Sequence, residues 1–445
     1  MYQRKRNTLI VSRQVLLYYL TILLYRAMLD IIYDRVISVY YAYAGFISNK
    51  SMPIVVLSLV VLSIFAVISR EFYINKAKKQ SYEILFTLML ISIVPFTTMI
   101  AFGVCNLSFT IANTSFWLFF CFFTSHIKWG TKRIRFQKEP TKTLGDTQIQ
   151  LFSLLLFLVV LYISGRYAGF RFNFSLLNVY DYRAEARSNQ LPTILLYLFS
   201  WSRMLNAIFI AYFIQRKKWG WMAMGILAQL LSFGYDGSKT TLMLMVAVVI
   251  VNILPRLSTR QINKWMFWGI VGLSAICLIW YLVSGDYILI SIFVRRVLFI
   301  PVQIATYYWD FFTTHIPDFF RQSFLRYFGF TSPYQTIPYL IGDVYYQRVT
   351  SANNGLISDA VTNLGVGGLI LMPLFYSFIF SLLDKSAEGL DERLYITVAL
   401  YVAITMTNSF IFTILLTHGL LITMLILSTM KRDTIKAYEL NQPKR

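Results

Sequence analysis

Long apolar stretches separated by short polar segments make up most of the chain. A transmembrane helix needs about 20 predominantly apolar residues, and twelve stretches approach or exceed that length. They lie at roughly 15–33, 52–69, 82–103, 108–127, 148–165, 192–214, 221–234, 240–254, 265–284, 361–383, 394–410 and 411–430. The pattern predicts an all-α, polytopic integral membrane protein of about twelve transmembrane helices, with residues 1–445 forming a single membrane domain.

Composition excludes an ordinary soluble enzyme. Hydrophobic residues make up 57% of the chain and charged residues 14%, whereas soluble domains carry about 25% charged residues. The net charge of +21 does not indicate nucleic acid, because the basic residues form short islands between apolar stretches. Three cysteines in apolar stretches predict buried thiols, and three scattered histidines predict no metal site.

The basic islands predict which side each loop faces. Cytoplasmic loops hold an excess of Lys and Arg, and a cytoplasmic N-terminus places 27 of the 41 Lys and Arg inside. Both termini are then cytoplasmic, with external loops at 166–191 and 285–360. Within the larger loop, 288–312 is apolar but carries two arginines and a proline. We predict an interfacial or re-entrant helix there, because a further crossing would move the basic C-terminal segment outside.

Arginines crowd the first external loop. Arg183 and Arg187 are four residues apart in YDYRAEARSN, so a helix would place them on one face. Guanidinium groups bind phosphate oxygens in a bidentate manner, which makes the pair a candidate phosphate site. The alternative is pairing within the loop with Asp181 and Glu185.

Two further basic positions lie at predicted membrane boundaries. In FGYDGSKTTL, Ser238 and Lys239 could offer donors to an anion at the start of the eighth apolar stretch, unless Lys239 only extends its charge to the interface. Arg295 and Arg296 lie inside an apolar segment, where uncompensated cations are costly. They are predicted to face a polar cavity or an anionic lipid group, or else to belong to an amphipathic helix on acidic lipids.

The end of the large loop carries carboxylate and amide side chains. Asp359 and Asn363 share one face of the tenth stretch, and Asn353 and Asn354 precede it. Asp359 could instead be a first-turn charge that favours the helix dipole. His315 is a candidate base, or a solvated loop histidine.

Several of these features together resemble the Wzy-type polysaccharide polymerases, also called O-antigen or oligosaccharide repeat-unit polymerases. They are the basic N-terminus, about twelve spans, the YDYRAEAR loop, the GSKT turn, the long arginine-containing loop and NNGLISDAVTNLGVGGLI. Lys239 stands where many relatives have arginine.

The resemblance implies a glycosyltransferase without cofactor at the outer face of the bacterial inner membrane. A sugar hydroxyl of one undecaprenyl-diphosphate-linked oligosaccharide attacks the anomeric carbon at the reducing end of the growing chain, and that chain's lipid diphosphate leaves. The implied partners are this lipid-linked oligosaccharide, membrane lipids and a chain-length regulator protein, with no nucleic acid. A flippase or transporter of the same lipid, or an O-antigen ligase, is the alternative. Charge gathered at one face favours an externally acting enzyme.

Residue roles follow from that chemistry. Preorganised cations would stabilise the leaving diphosphate, and the general base would be Asp359 or, second, His315. Asn353, Asn354 and Asn363 would bind sugar. The external cations are expected to share one pocket. The diphosphate-binding candidates are Arg183, Arg187, Lys239, Arg295, Arg296 and Arg348.

Overall fold

The computed structural model describes residues 2–129, 144–170, 186, 189, 191–253 and 258–432. These residues form helices and connecting segments without a β-strand, so the all-α prediction is confirmed. The main helices are α1 (Val15–Tyr40), α2 (Met52–Ile74), α3 (Gln80–Ala101), α4 (Leu107–His126), α5 (Asp146–Ala168), α6 (Thr193–Gln215), α7 (Trp219–Asp236), α8 (Lys239–Ile253), α9 (Thr259–Ser284), α10 (Ile290–Thr314), α11 (Ile337–Tyr346), α12 (Ile357–Ser386), α13 (Glu392–Met406) and α14 (Leu420–Thr429).

Each of the twelve predicted apolar stretches coincides with a helix. In the described part of the chain, nine helices are long and apolar enough to cross a membrane, and α10 is one of them. The chain is therefore a multi-pass membrane protein. The count of twelve crossings stays a prediction, because α7, α8, α13 and α14 fall outside those nine.

Helix boundaries follow from local chemistry. Ser258 and Gln261 form a capping box at the start of α9, in which each side chain bonds the other residue's backbone. The same helix ends at Gly285, whose φ of 73° lies in the left-handed region. These residues account for a 26-residue helix with defined ends.

The core of the bundle surrounds α3, which is buried along its whole apolar window. Arg26 of α1 is also buried, and its Nε donates to Asp30 Oδ1 at 2.7 Å. The two side chains form an i, i+4 ion pair within α1. The three cysteines are buried and free, as predicted.

The contacts of α10 lie at one end of the bundle. Tyr41 donates to Ser291 at 2.8 Å, Gln303 donates to the carbonyl of Ala44 at 2.6 Å, and Trp309 donates to Ser108 at 3.1 Å. We call this end, which carries the α1–α2 connection and the start of α4, the outer end. A helix lying across the outer end makes such contacts along its length. Its position relative to a membrane stays a prediction, because its 25 residues could also span one.

Candidate substrate-binding surface

An arginine and four tyrosines meet at the outer end, and we call them the arginine–tyrosine cluster: Tyr41, Arg295, Tyr307, Tyr345 and Tyr346. The Arg295 guanidinium lies 3.9 Å from the centroid of the Tyr41 ring, a cation–π geometry. Its Nε is buried and has no hydrogen-bond partner among the described residues. The guanidinium is thus held in place while one of its donors stays unused.

Stacked aromatic rings form the second part of the cluster. The rings of Tyr307 and Tyr345 stack with centroids 4.5 Å apart and planes 9° apart, and Tyr346 meets Tyr307 edge-on at 5.5 Å. Tyr345 donates its hydroxyl proton to Asp310 Oδ2 at 2.6 Å. Burial raises the pKa of Tyr345, and the Asp310 carboxylate raises it further, so the phenol stays a donor.

Two guanidinium groups act on one phenol of the cluster. Burial raises the pKa of Tyr346, whereas the positive charges of Arg295 and Arg348 oppose that rise. Arg348 also lies 5.9 Å from the Tyr346 ring. The structure therefore places Arg348 beside the Tyr346 ring.

The chain reverses sharply after α11, which places Arg348 beside the cluster. Gln347 has a φ of 49°, and the backbone of Thr350 approaches Gly342 so closely that a Cβ there would collide with its carbonyl oxygen. Glycine is required at this contact for that reason. A larger residue at 342 would push the 347–350 segment away.

Of the remaining predicted cations, the structure describes the side chain of Arg296 but not those of the other three. Arg296 is exposed beside Arg295, whereas Arg183 and Arg187 lie outside the described residues. Lys239 begins α8, but its side chain also lies outside the described part.

The first external loop reaches the outer end of α7. The carbonyl of Ala186 accepts a hydrogen bond from Tyr235 at 3.4 Å. Next to this contact, Arg203 of α6 forms an ion pair with Asp236, and Ser238 N–H donates to Asp236 at 3.0 Å. The GSK turn therefore lies beside an existing ion pair.

The single pocket expected for all external cations stays a prediction. Arg203 belongs to α6, which packs against α5, α7, α8 and α13. Arg295 lies against Tyr41 in the connection that follows α1. Arg183, Arg187 and the Lys239 side chain lie outside the described residues.

The two residues on the shared face of α12 bind protein groups rather than open space. Asp359 is 1% exposed and accepts from Ile411 N–H at 2.7 Å, Tyr376 hydroxyl at 3.1 Å and Asn363 Nδ2 at 2.8 Å. Asn363, 2% exposed, in turn accepts from Phe320 N–H at 2.9 Å. This geometry does not favour Asp359 as a base or Asn363 as a sugar ligand, because both side chains already have their partners.

His315 and the two loop asparagines also differ in position. His315 is exposed, stacks on Phe311 with centroids 3.9 Å apart, and lies 20 residues beyond Arg295 along α10, roughly 25–30 Å. At that distance it cannot act at the same reacting atoms as Arg295.

Asn354 is buried and donates to the Pro301 carbonyl at 2.7 Å, whereas Asn353 is exposed. Asn353 Oδ1 accepts from the Ser351 hydroxyl at 3.0 Å, and Asn353 is the one of the two asparagines whose side chain reaches the surface.

Sequence reasoning did not find the tyrosines of the cluster or Asp310. The available signal was the aromatic run YYWD at 307–310 followed by the YY pair at 345–346, both inside the predicted external loop. Tyr41 carried no comparable local signal.

No family model, curated protein or solved structure matches this chain. Among the described residues, no group of three or more His, Cys, Asp or Glu side chains could hold a metal ion. Functional inference therefore rests on the geometry of the outer end.

Proposed function

We propose that the protein is a glycosyltransferase that polymerises undecaprenyl-diphosphate-linked oligosaccharide repeat units at the outer face of the bacterial inner membrane. The observation that carries the proposal is the arginine–tyrosine cluster on a helix of the predicted external loop. A half-buried guanidinium beside stacked, hydroxyl-bearing rings suits a ligand that joins phosphate to sugar.

The cluster would act on the donor, which is the growing chain. The bond between the anomeric carbon and the phosphate oxygen breaks, and the diphosphate leaves with the electron pair. A hydroxyl oxygen of the acceptor forms the new bond to that carbon. Arg295 and Arg348, which both act on Tyr346, would stabilise the charge that develops on the diphosphate, the usual role of preorganised cations.

The acceptor hydroxyl must lose a proton to a general base, which typically contributes a factor of about 10² to 10⁴. Asp310 is exposed and holds the Tyr345 hydroxyl at 2.6 Å, but it lies 15 residues beyond Arg295 along α10, roughly 20 Å. The distance that excludes His315 therefore also excludes Asp310 as the base beside a diphosphate held by Arg295, and we assign no base.

Gene deletion and complementation test the proposal. Arg295→Gln should lower polymer yield about 10²-fold or more, by analogy with the loss of one charge-stabilising donor, while single repeat units remain on the surface. Arg35→Gln is the matched control, because Arg35 is an exposed arginine near the outer end of α1 that lies outside the cluster.

The deletion phenotype separates the competing functions. A lost ligase leaves no polymer or single unit attached, and a lost flippase traps lipid-linked units inside. Unchanged polymer with Arg295→Gln, in protein present at normal levels, would exclude the cluster as the donor site.

A further inference from the structure

A groove of about 420 Å³ lies at the outer end, and none of its lining residues belongs to the cluster. It runs along the first two turns of α6 and is closed by residues of the large loop and of the segment that follows α13. Its size is within the range of small-molecule sites. The lining residues are Thr193, Ile194, Tyr197, Leu198, Trp201, Tyr327 and Leu416.

The floor of the groove is firmly built. Trp201 Nε1 donates to the carbonyl of Leu416 at 2.6 Å, which ties α6 to the chain after α13. Gly419 lies against the Trp201 ring, and a Cβ there would be only 2.9 Å from it. The indole is thus fixed by both a hydrogen bond and close packing.

A cation stands at the mouth of this apolar groove. Arg326 Nη2 donates to the Tyr327 hydroxyl at 2.8 Å, and Tyr327 lines the groove together with Tyr197. Phe328 and Phe330 beside them are 73% and 55% exposed, as aromatic residues at a membrane interface are. An apolar groove with a guanidinium at its mouth suits an amphiphile with a hydrocarbon chain and a phosphate group.

We infer that this groove binds the polyprenyl chain of the acceptor, with the acceptor's phosphate at Arg326. The inference rests on the proposed function, in which two carrier lipids must be bound at once. The arginine–tyrosine cluster takes the diphosphate of the donor. The groove follows one face of one helix, from Thr193 to Trp201, and so accommodates a single chain rather than the paired chains of a phospholipid.

Photocrosslinking tests the groove directly. Full-length protein in phosphatidylcholine nanodiscs is irradiated with an undecaprenyl phosphate analogue that carries a diazirine near its phosphate. Crosslinks should map to residues 193–201. Leu198→Trp, which fills the groove, should reduce them roughly tenfold or more, because about two methylene groups removed from apolar contact suffice for that change.

Matched variants control for folding. Leu196→Trp alters the same helix at a side chain that is 46% exposed and outside the groove, and should leave the crosslinks unchanged. Ile194→Trp, at a position 74% exposed, repeats the obstruction with little risk to folding. Arg326→Gln should weaken crosslinking and Arg326→Lys should largely restore it.

Two results would overturn the inference. Unlabelled undecaprenyl phosphate should compete better than dioleoylphosphatidylglycerol, and equal competition would mean that the groove is a general phospholipid site. Leu198→Trp should lower polymer yield in cells, and an unchanged yield would mean that the groove has no part in polymerisation. Arg295→Gln should leave the groove crosslinks intact, so failure of the donor site and failure of the groove give different results.

Discussion

At the scale of single residues, helical spacing predicted which side chains share a face of a helix but not what that face contacts. The shared face of Asp359 and Asn363 was correctly predicted, since Asn363 Nδ2 donates to Asp359 at 2.8 Å. The pattern did not reveal that this face points into the bundle. That fact depends on Tyr376 and Ile411, which are brought there only by tertiary packing.

Substitutions at Asp359 should distinguish a structural role of this carboxylate from a role as the general base. Asp359→Ala leaves the buried Ile411 N–H without an acceptor, whereas Asn363 Nδ2 and the Tyr376 hydroxyl keep the backbone carbonyls of Asp359 and Leu356. The cost in the free energy of unfolding should be about 1–3 kcal/mol. Asp359→Asn keeps one oxygen that can accept from Ile411 and Tyr376, so it should fold and retain polymer synthesis. Thermal unfolding in detergent and polymer yield measure the two effects. A stable Asp359→Asn protein without polymer would restore the carboxylate as the candidate base.

At the scale of helices, each of the twelve stretches predicted from local hydrophobicity coincides with a helix, whereas α11 was not predicted. The same pattern marked α10 as unusual, through Arg295, Arg296 and a proline in an apolar segment. It could not assemble the cluster, because Tyr41, Tyr307 and Tyr345 come from three separate elements. Contacts between residues so distant in sequence leave no local periodicity to read.

Cysteine labelling should show how α10 lies. Asp286 and His315 are exposed just before and just after the helix, and the three native cysteines are buried. If α10 lies across the outer end, Asp286→Cys and His315→Cys should both react with a membrane-impermeant maleimide in intact cells. Lys217→Cys, in the predicted cytoplasmic loop after α6, should react only after permeabilisation. Labelling of His315→Cys only after permeabilisation would mean that α10 crosses the membrane.

At the scale of the whole molecule, charge predicted one outer end but not the surroundings of each cation. Arg203 pairs with Asp236 among α6 and α7, whereas Arg295 lies beside the α1–α2 connection. Chain order gives no distance between two loops on the same side of a membrane, so these contacts come from the arrangement of the helices alone.

The position of α10 also fixes the orientation of the C-terminal segment. Nine helices meet the length and hydropathy of a span. Removing α10 and adding the shorter α7, α8, α13 and α14 gives the twelve predicted crossings, an even number that returns the chain to the side of its N-terminus. Green fluorescent protein fused to the C-terminus should therefore fluoresce, and alkaline phosphatase fused there should be inactive. Alkaline phosphatase inserted after Gly285 should be active, as the control. Active phosphatase at the C-terminus would instead require an odd number of crossings, and α10 is the helix that would supply the additional one.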